Sequence, residues 1–145
     1  TINKSHTNLL QKTIKDKNLV DKCRIIGKLE YNQLKIAYSV SDLVLSLPNR
    51  SEGFGRTISE TLSMKKMVIA KYTGGAYDQL QQLDNVFKIE EKELQNINQR
   101  IKYIIELSEE EKNNILANSR QHIINNFSLN SMLTNYYNFY ERISS

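Results

Sequence analysis

All five glycines of this 145-residue chain, and its single proline, fall just after short apolar runs. That punctuation restricts the fold more than any other feature. Gly27 follows Cys23-Arg24-Ile25-Ile26. Pro48, Gly53 and Gly55 follow Leu43-Val44-Leu45-Ser46-Leu47, and Gly74 and Gly75 follow Met67-Val68-Ile69-Ala70. Apolar runs of four or five residues ended by glycine read as buried strands, here at about 22–26, 43–47 and 67–71. Between them the apolar spacing becomes helical: Leu34, Ile36, Ala37 and Val40 predict a helix near 31–39, and a second runs from about Gly55 to Lys65. Strands alternating with helices at this spacing predict βαβ units and an α/β, Rossmann-like parallel sheet with flanking helices. In such sheets ligands bind at the carboxyl ends of the strands, where the glycines lie.

The flanks are helical. Leu9, Leu10, Ile14 and Lys17 predict a first helix ended by Asp16-Lys17-Asn18. A short helix opens at Gly74-Gly75 and passes through Tyr77 and Leu80, and Asn85-Val86-Phe87-Lys88-Ile89 reads as a last short strand. From Glu90 the pattern is helical throughout, with Leu94, Ile97, Ile101, Ile104 and Ile105 on one face. Ser108 and Glu111 form a capping box, and Ser128 is a second N-cap before a final helix striped with Met132, Tyr136, Tyr140 and Ile143. The carboxy-terminal third is therefore expected to be helical.

Composition narrows the function by exclusion. The net charge of +4 comes from 20 basic and 16 acidic residues spread along the chain. No stripe alternates basic and aromatic residues as a single-strand binder would, so no nucleic-acid partner is expected. Cys23 stands alone, in a strand expected to be buried, and no Cys/His cluster has the spacing of a metal site. His6 and His122 lie far apart in polar helical contexts and read as solvated. With no apolar run near the ~20 residues of a membrane span and no signal peptide, a cytoplasmic location is expected.

The richest loop is Ser51-Glu52-Gly53-Phe54-Gly55-Arg56-Thr57-Ile58-Ser59-Glu60, which places two carboxylates with seven residues between them. A strand, a glycine loop and a helix start offer free backbone N–H groups and a positive helix end, which suit a phosphate. Glycine at 53 and 55 clears side chains from the approach of a polar ligand. Glu52 could accept bonds from the hydroxyls of a bound sugar, the alternative being a solvated loop residue. Glu60 lies about 200° around the helix axis from both Ile58 and Leu62, away from the core stripe. A purely structural alternative exists for it, an i,i+4 pair with Arg56. The loop lacks the Gly-Lys-Ser/Thr ending of the nucleotide-triphosphate loop and is not Gly-x-Gly-x-x-Gly.

The segment from Glu52 to Glu60 resembles the E-x7-E motif of family 4 (group 1) glycosyltransferases in its E-G-F-G form. Ser41-Asp42-Leu43-Val44-Leu45 is similar to that family's A-D-V-x-V strand, and Leu47-Pro48 to the L-P before the loop. Val68-Ile69-Ala70 is similar to its P-V-I-A strand, Thr73-Gly74-Gly75-Ala76-Tyr77-Asp78 to its G-G-x-x-E turn, and Phe127-Ser128 to the entry of its terminal helix. The match covers essentially the whole chain and points to the carboxy-terminal, donor-binding domain of a GT-B enzyme.

The resemblance implies retaining transfer from a nucleoside-diphosphate sugar to a glycan or lipid-linked acceptor, with neither metal nor cofactor. Glu52 would be the catalytic carboxylate, holding hydroxyls of the donor sugar. The backbone of Gly53, Phe54, Gly55 and Arg56, with Thr57, would meet sugar and diphosphate, and Glu60 would bind the ribose. Gly27, Lys28 and Leu29 would lie against the nucleobase, and Gly74 and Gly75 beside the donor. Residues 1–127 would form the donor domain, and 128–145 a helix crossing towards an amino-terminal acceptor domain absent from the chain. The full-length enzyme would sit in the cytoplasm, with room for peripheral contact on the inner face of the plasma membrane, and serve polysaccharide or lipopolysaccharide synthesis.

Three departures accompany the match. Lys65 and Met67 stand where the family has glycine and proline, and Asp78 stands where it has glutamate. The two first strands of the domain, with their diphosphate-gripping arginine and lysine, are expected to be missing. The 22–26 and 43–47 strands should then not be direct neighbours, and whatever fills the gap would lie outside the chain. Two other readings remain at this point: a non-catalytic interaction module derived from a transferase, and a nucleotide-sugar epimerase of the same fold.

Overall fold

The computed structural model describes the backbone of residues 4–144 and side chains from His6 to Ser144. The chain divides into two compact units, Thr1–Ala37 and Tyr38–Ser145.

In the first unit, α1 (Lys4–Asp16) ends in a Schellman turn. The Asn18 N–H donates to the Lys15 carbonyl at 3.0 Å and the Leu19 N–H to the Ile14 carbonyl at 2.9 Å, with Asn18 at φ 53°. Asparagine tolerates that left-handed position, so the helix stops where the polar triplet predicts. The expected strand at 22–26 does not form: no described residue pairs with it. An apolar run specifies which residues prefer a sheet, but a strand exists only with a ladder partner for its N–H and C=O groups. Cys23 is accordingly exposed rather than buried, and Ile26 is 69% exposed. Helix α2 (Tyr31–Val40) begins in this unit and carries Tyr38 into the next.

The second unit is built on a parallel sheet of β1 (Leu43–Ser46), β2 (Met67–Lys71) and β3 (Lys88–Ile89) in the order β1-β2-β3. Leu43 pairs with Met67 and Ser46 with Ala70; on the far side of β2, Ala70 pairs with Lys88. Central β2 is buried on both faces from Met67 to Ala70, which explains its unbroken apolar run. Around it lie α3 (Arg56–Ser63), α4 (Gly75–Leu80), α5 (Ile97–Glu106), α6 (Glu109–Phe127) and α7 (Leu129–Ser144). Ile58 and Leu62 of α3, Leu80 of α4, Ile104 of α5 and Ile123 of α6 close the core with Val86, Phe87 and Ile89.

The predicted strand at 85–89 is shorter than expected. The Asp84 carboxylate accepts the Val86 N–H at 2.8 Å and folds Asn85–Phe87 into a 3-10 turn, leaving only Lys88–Ile89 in the sheet. A side chain that satisfies the backbone locally competes with the ladder. The helical run from Glu90 likewise opens with a 3-10 segment, Glu91–Asn96, and Ile105 points outward at 67% exposure. The Ser108–Glu111 capping box forms, and the Ser128 hydroxyl accepts the Ser131 N–H at 3.2 Å. The α7 stripe is exposed along its length. Among the described residues no helix is long and apolar enough to cross a membrane.

Candidate active site

Because β1 and β2 are parallel neighbours, the loops at their carboxyl ends leave the sheet side by side. They are bonded to each other. The Gly75 N–H donates to the Glu52 carbonyl at 3.0 Å. A Cβ on Gly75 would lie 2.5 Å from Phe54 Cα and 2.6 Å from the Gly53 carbonyl oxygen, and one on Gly74 2.5 Å from the Glu52 carbonyl oxygen. Gly74 also has φ 57° and ψ −135°, a region open essentially to glycine. These two glycines are therefore needed to seat one loop on the other.

Gly53 differs. A Cβ there would meet nothing within 4 Å, so packing does not require glycine at this position. Gly55 caps α3 in the left-handed region at φ 77° and offers no side chain to the helix start. No acidic residue occupies the first turn of α3, so its leading N–H groups are not neutralised by a neighbouring carboxylate in that turn. The Glu52 side chain turns back over Gly55, its Oε2 lying 3.6 Å from where a Cβ would stand. Among the described residues no hydrogen bond or ion pair engages that exposed carboxylate.

Glu60 is engaged on both oxygens. Arg56 donates to Oε1 through Nη2 at 2.8 Å and Nε at 3.2 Å, and the Tyr38 hydroxyl donates to Oε2 at 3.1 Å. The pair with Arg56 predicted from spacing is thus present, but it is not the whole environment. The phenol of buried Tyr38 is pushed above its ordinary pKa, chiefly by burial and then by the hydrogen bond and charge of Glu60. It is therefore a donor at neutral pH.

Behind the loop lies a support absent from the sequence reading. Gln79, wholly buried on α4, donates its amide to the Phe54 carbonyl and, at 3.4 Å, to that of Gly55. Its Oε1 is buried without a hydrogen-bond partner. The Gln79 carbonyl lies 3.1 Å from His122 Nε2, which must carry the proton because a carbonyl only accepts. His122 Nδ1 is then free to accept from the Asn126 amide at 3.2 Å. His122 is half-buried and structural rather than solvated, whereas His6 is exposed. The Phe54 ring lies 6.0 Å from that of Phe127, beside an open apolar groove of about 650 Å³ lined also by Leu129, Met132, Tyr136 and Phe139.

The structure therefore brings together Glu52, Gly53, Phe54, Gly55, Arg56, Thr57, Glu60, Gly74 and Gly75. Gly27, Lys28 and Leu29 belong to the first unit, where Gly27 is left-handed at φ 82° and Lys28 lies 3.9 Å from Glu30. Tyr38 and Gln79 carry no local sequence signal. Only the bond of the Tyr38 hydroxyl to Glu60, and those of the Gln79 amide to the glycine loop, reveal them.

Comparisons with known proteins place the family and the fold. A family model described as glycosyl transferases group 1 matches residues 3–122. A glycosyltransferase of Rickettsia africae ESF-5 has a similar structure, with a TM-score of 0.83 and 33% identity over 96% of this chain. Anabaena Alr3699/HepE, solved in complex with UDP and glucose, is similar with a TM-score of 0.70 and 27% identity over 97% of this chain. The chain spans only 36% of the length of each of these two proteins. No curated protein sequence matches it.

Proposed function

Since the chain belongs to the group 1 glycosyltransferases, we propose that its second unit binds a nucleoside-diphosphate sugar for retaining, metal-independent transfer to a glycan or lipid-linked acceptor. Glu52 takes the sugar hydroxyls, Glu60 the ribose, and the Gly53–Thr57 backbone at the start of α3 the diphosphate. The observation that carries this reading is the open surface at Gly53. Protein packing makes no demand for glycine there, yet it lies between an unengaged carboxylate and a helix start with no acidic residue in its first turn. A diphosphate approaching backbone N–H groups does make that demand. The UDP and glucose held by the Anabaena protein are consistent with a donor of this class.

Gly74 and Gly75 take a different part in this reading, because the 51–54 segment fills the space beside each of them. Gly74 and Gly75 hold the donor loop in place through its backbone. Developing negative charge on the leaving diphosphate would be stabilised by oriented N–H groups rather than by a mobile side chain. Segment 128–145 is proposed to cross towards a second, acceptor-binding domain in the polypeptide that carries this unit. The exposed stripe of Met132, Tyr136, Tyr140 and Ile143 suits such a contact.

Titration of the protein with UDP-glucose, followed by NMR shifts of the Gly53 and Gly55 amides, tests the reading. Shifts centred on residues 52–60 are expected, together with transfer to an added acceptor in the full-length enzyme. Absence of binding by any nucleoside-diphosphate sugar would leave the interaction module as the better account. Conversion of the donor sugar without an acceptor would favour the epimerase.

A further inference from the structure

We infer that Tyr38 is a positioning residue for donor binding: its buried hydroxyl fixes the one oxygen of Glu60 that retains capacity for a ribose hydroxyl. The inference rests on the donor-site reading above. A carboxylate offers about four acceptor directions, two on each oxygen. Arg56 uses both on Oε1 through Nε and Nη2, whereas Oε2 accepts from Tyr38 alone. One acceptor direction therefore stays open, on Oε2, and Tyr38 sets where it points.

The two partners differ in how firmly they hold. The Arg56 side chain is 75% exposed and sits on the same helix as Glu60, so its pair is a solvated i,i+4 contact that costs little to open. Tyr38 is buried, 22 residues earlier in the chain, and comes from another helix. Its ring cannot follow a wandering carboxylate. Glu60 itself keeps 24% side-chain exposure, enough for a ligand to reach it. A fixed bond from the buried side and a displaceable one from the solvent side together hold a carboxylate ready for a hydroxyl.

The test is a binding comparison of uridine diphosphate with its 2′,3′-dideoxy analogue, by NMR titration, in wild type, Tyr38→Phe, Glu60→Gln and the double variant. The wild type should prefer the ribonucleotide. Tyr38→Phe should weaken uridine diphosphate by about 3- to 10-fold, the scale of one ordinary net hydrogen bond, and leave the dideoxy analogue unchanged. Added to Glu60→Gln it should have no effect. The dideoxy analogue also controls for folding, because a merely structural role would weaken both nucleotides equally. That result, or a preference undiminished in Tyr38→Phe while Glu60→Gln abolishes it, overturns the role of Tyr38 alone. A wild type that does not bind uridine diphosphate or shows no ribose preference, or a preference that survives Glu60→Gln, overturns the ribose assignment and this inference with it.

Discussion

The Gly75 N–H donates to the Glu52 carbonyl oxygen at 3.0 Å, so the backbone of the candidate catalytic residue is anchored by the neighbouring loop while its side chain stays unengaged. Anchored backbone and free side chain are what a site residue requires: position without occupation.

Substitution at the glycines should separate that support from ligand contact. Gly75→Ala forces a Cβ to within 2.5 Å of Phe54 Cα, a contact with backbone that no rotamer relieves. It should destabilise the protein by roughly 2–3 kcal/mol in urea denaturation, the scale of overpacking together with local strain. Gly53→Ala has open space and should leave stability within about 0.5 kcal/mol while weakening binding of the donor diphosphate. Equal stability losses for the two variants would contradict the distinction.

Lys65 should be improvable. It stands at C′ of α3 with φ 53°, and the turn around it is a Schellman motif: Lys65 N–H to the Leu62 carbonyl at 3.0 Å, Lys66 N–H to the Thr61 carbonyl at 3.1 Å. The resemblance to group 1 enzymes expects glycine there. Lys65→Gly should raise stability by roughly 0.5–1 kcal/mol, the left-handed penalty less the entropy glycine gains when unfolded. A rise in thermal midpoint checks it.

The two carboxylates should fail differently in the full-length enzyme. With Glu60 on the ribose, as proposed, Glu60→Gln would remove a contact to a part of the donor that does not react, so KM should rise more than kcat falls. With Glu52 against the donor sugar, as proposed, Glu52→Gln would act where the sugar becomes cationic, and kcat should fall by about 10²-fold for one charge-assisted bond worth ~2–3 kcal/mol. Steady-state kinetics over a range of donor concentrations reads both. Unchanged KM in Glu60→Gln would sink the ribose assignment.

The start of α6 should be acid-sensitive. Hydrogen bonds from the Ser108 hydroxyl and backbone N–H hold the Glu111 carboxyl below its ordinary pKa. A carboxyl with a lowered folded pKa stabilises the fold above its unfolded value, ordinarily about 4.3. That contribution is lost as pH falls through the folded value. Ser108→Ala should lower the thermal midpoint at neutral pH and narrow its difference from wild type in acid. A pH-independent difference would show that the hydroxyl acts without Glu111.

The sequence by itself determined most elements of the second unit and singled out the loop that carries the candidate site. Apolar period and glycine placement depend only on neighbouring residues, so β1, α3, β2 and the Ser108 box were all legible, as was the Glu52–Glu60 loop. Tertiary structure decided the rest, because the deciding interactions join residues far apart in the chain. The 22–26 run has strand composition but no described ladder partner, and Cys23 is exposed for that reason. Asn85–Phe87 has strand composition but yields to the Asp84 carboxylate. Gly53 and Gly75 look alike in sequence, yet one faces open space and the other faces backbone. The partners of Glu60 divide along the same line. Arg56 is four residues away and readable from helical spacing, whereas Tyr38 lies 22 residues away and meets Oε2 only in the folded chain.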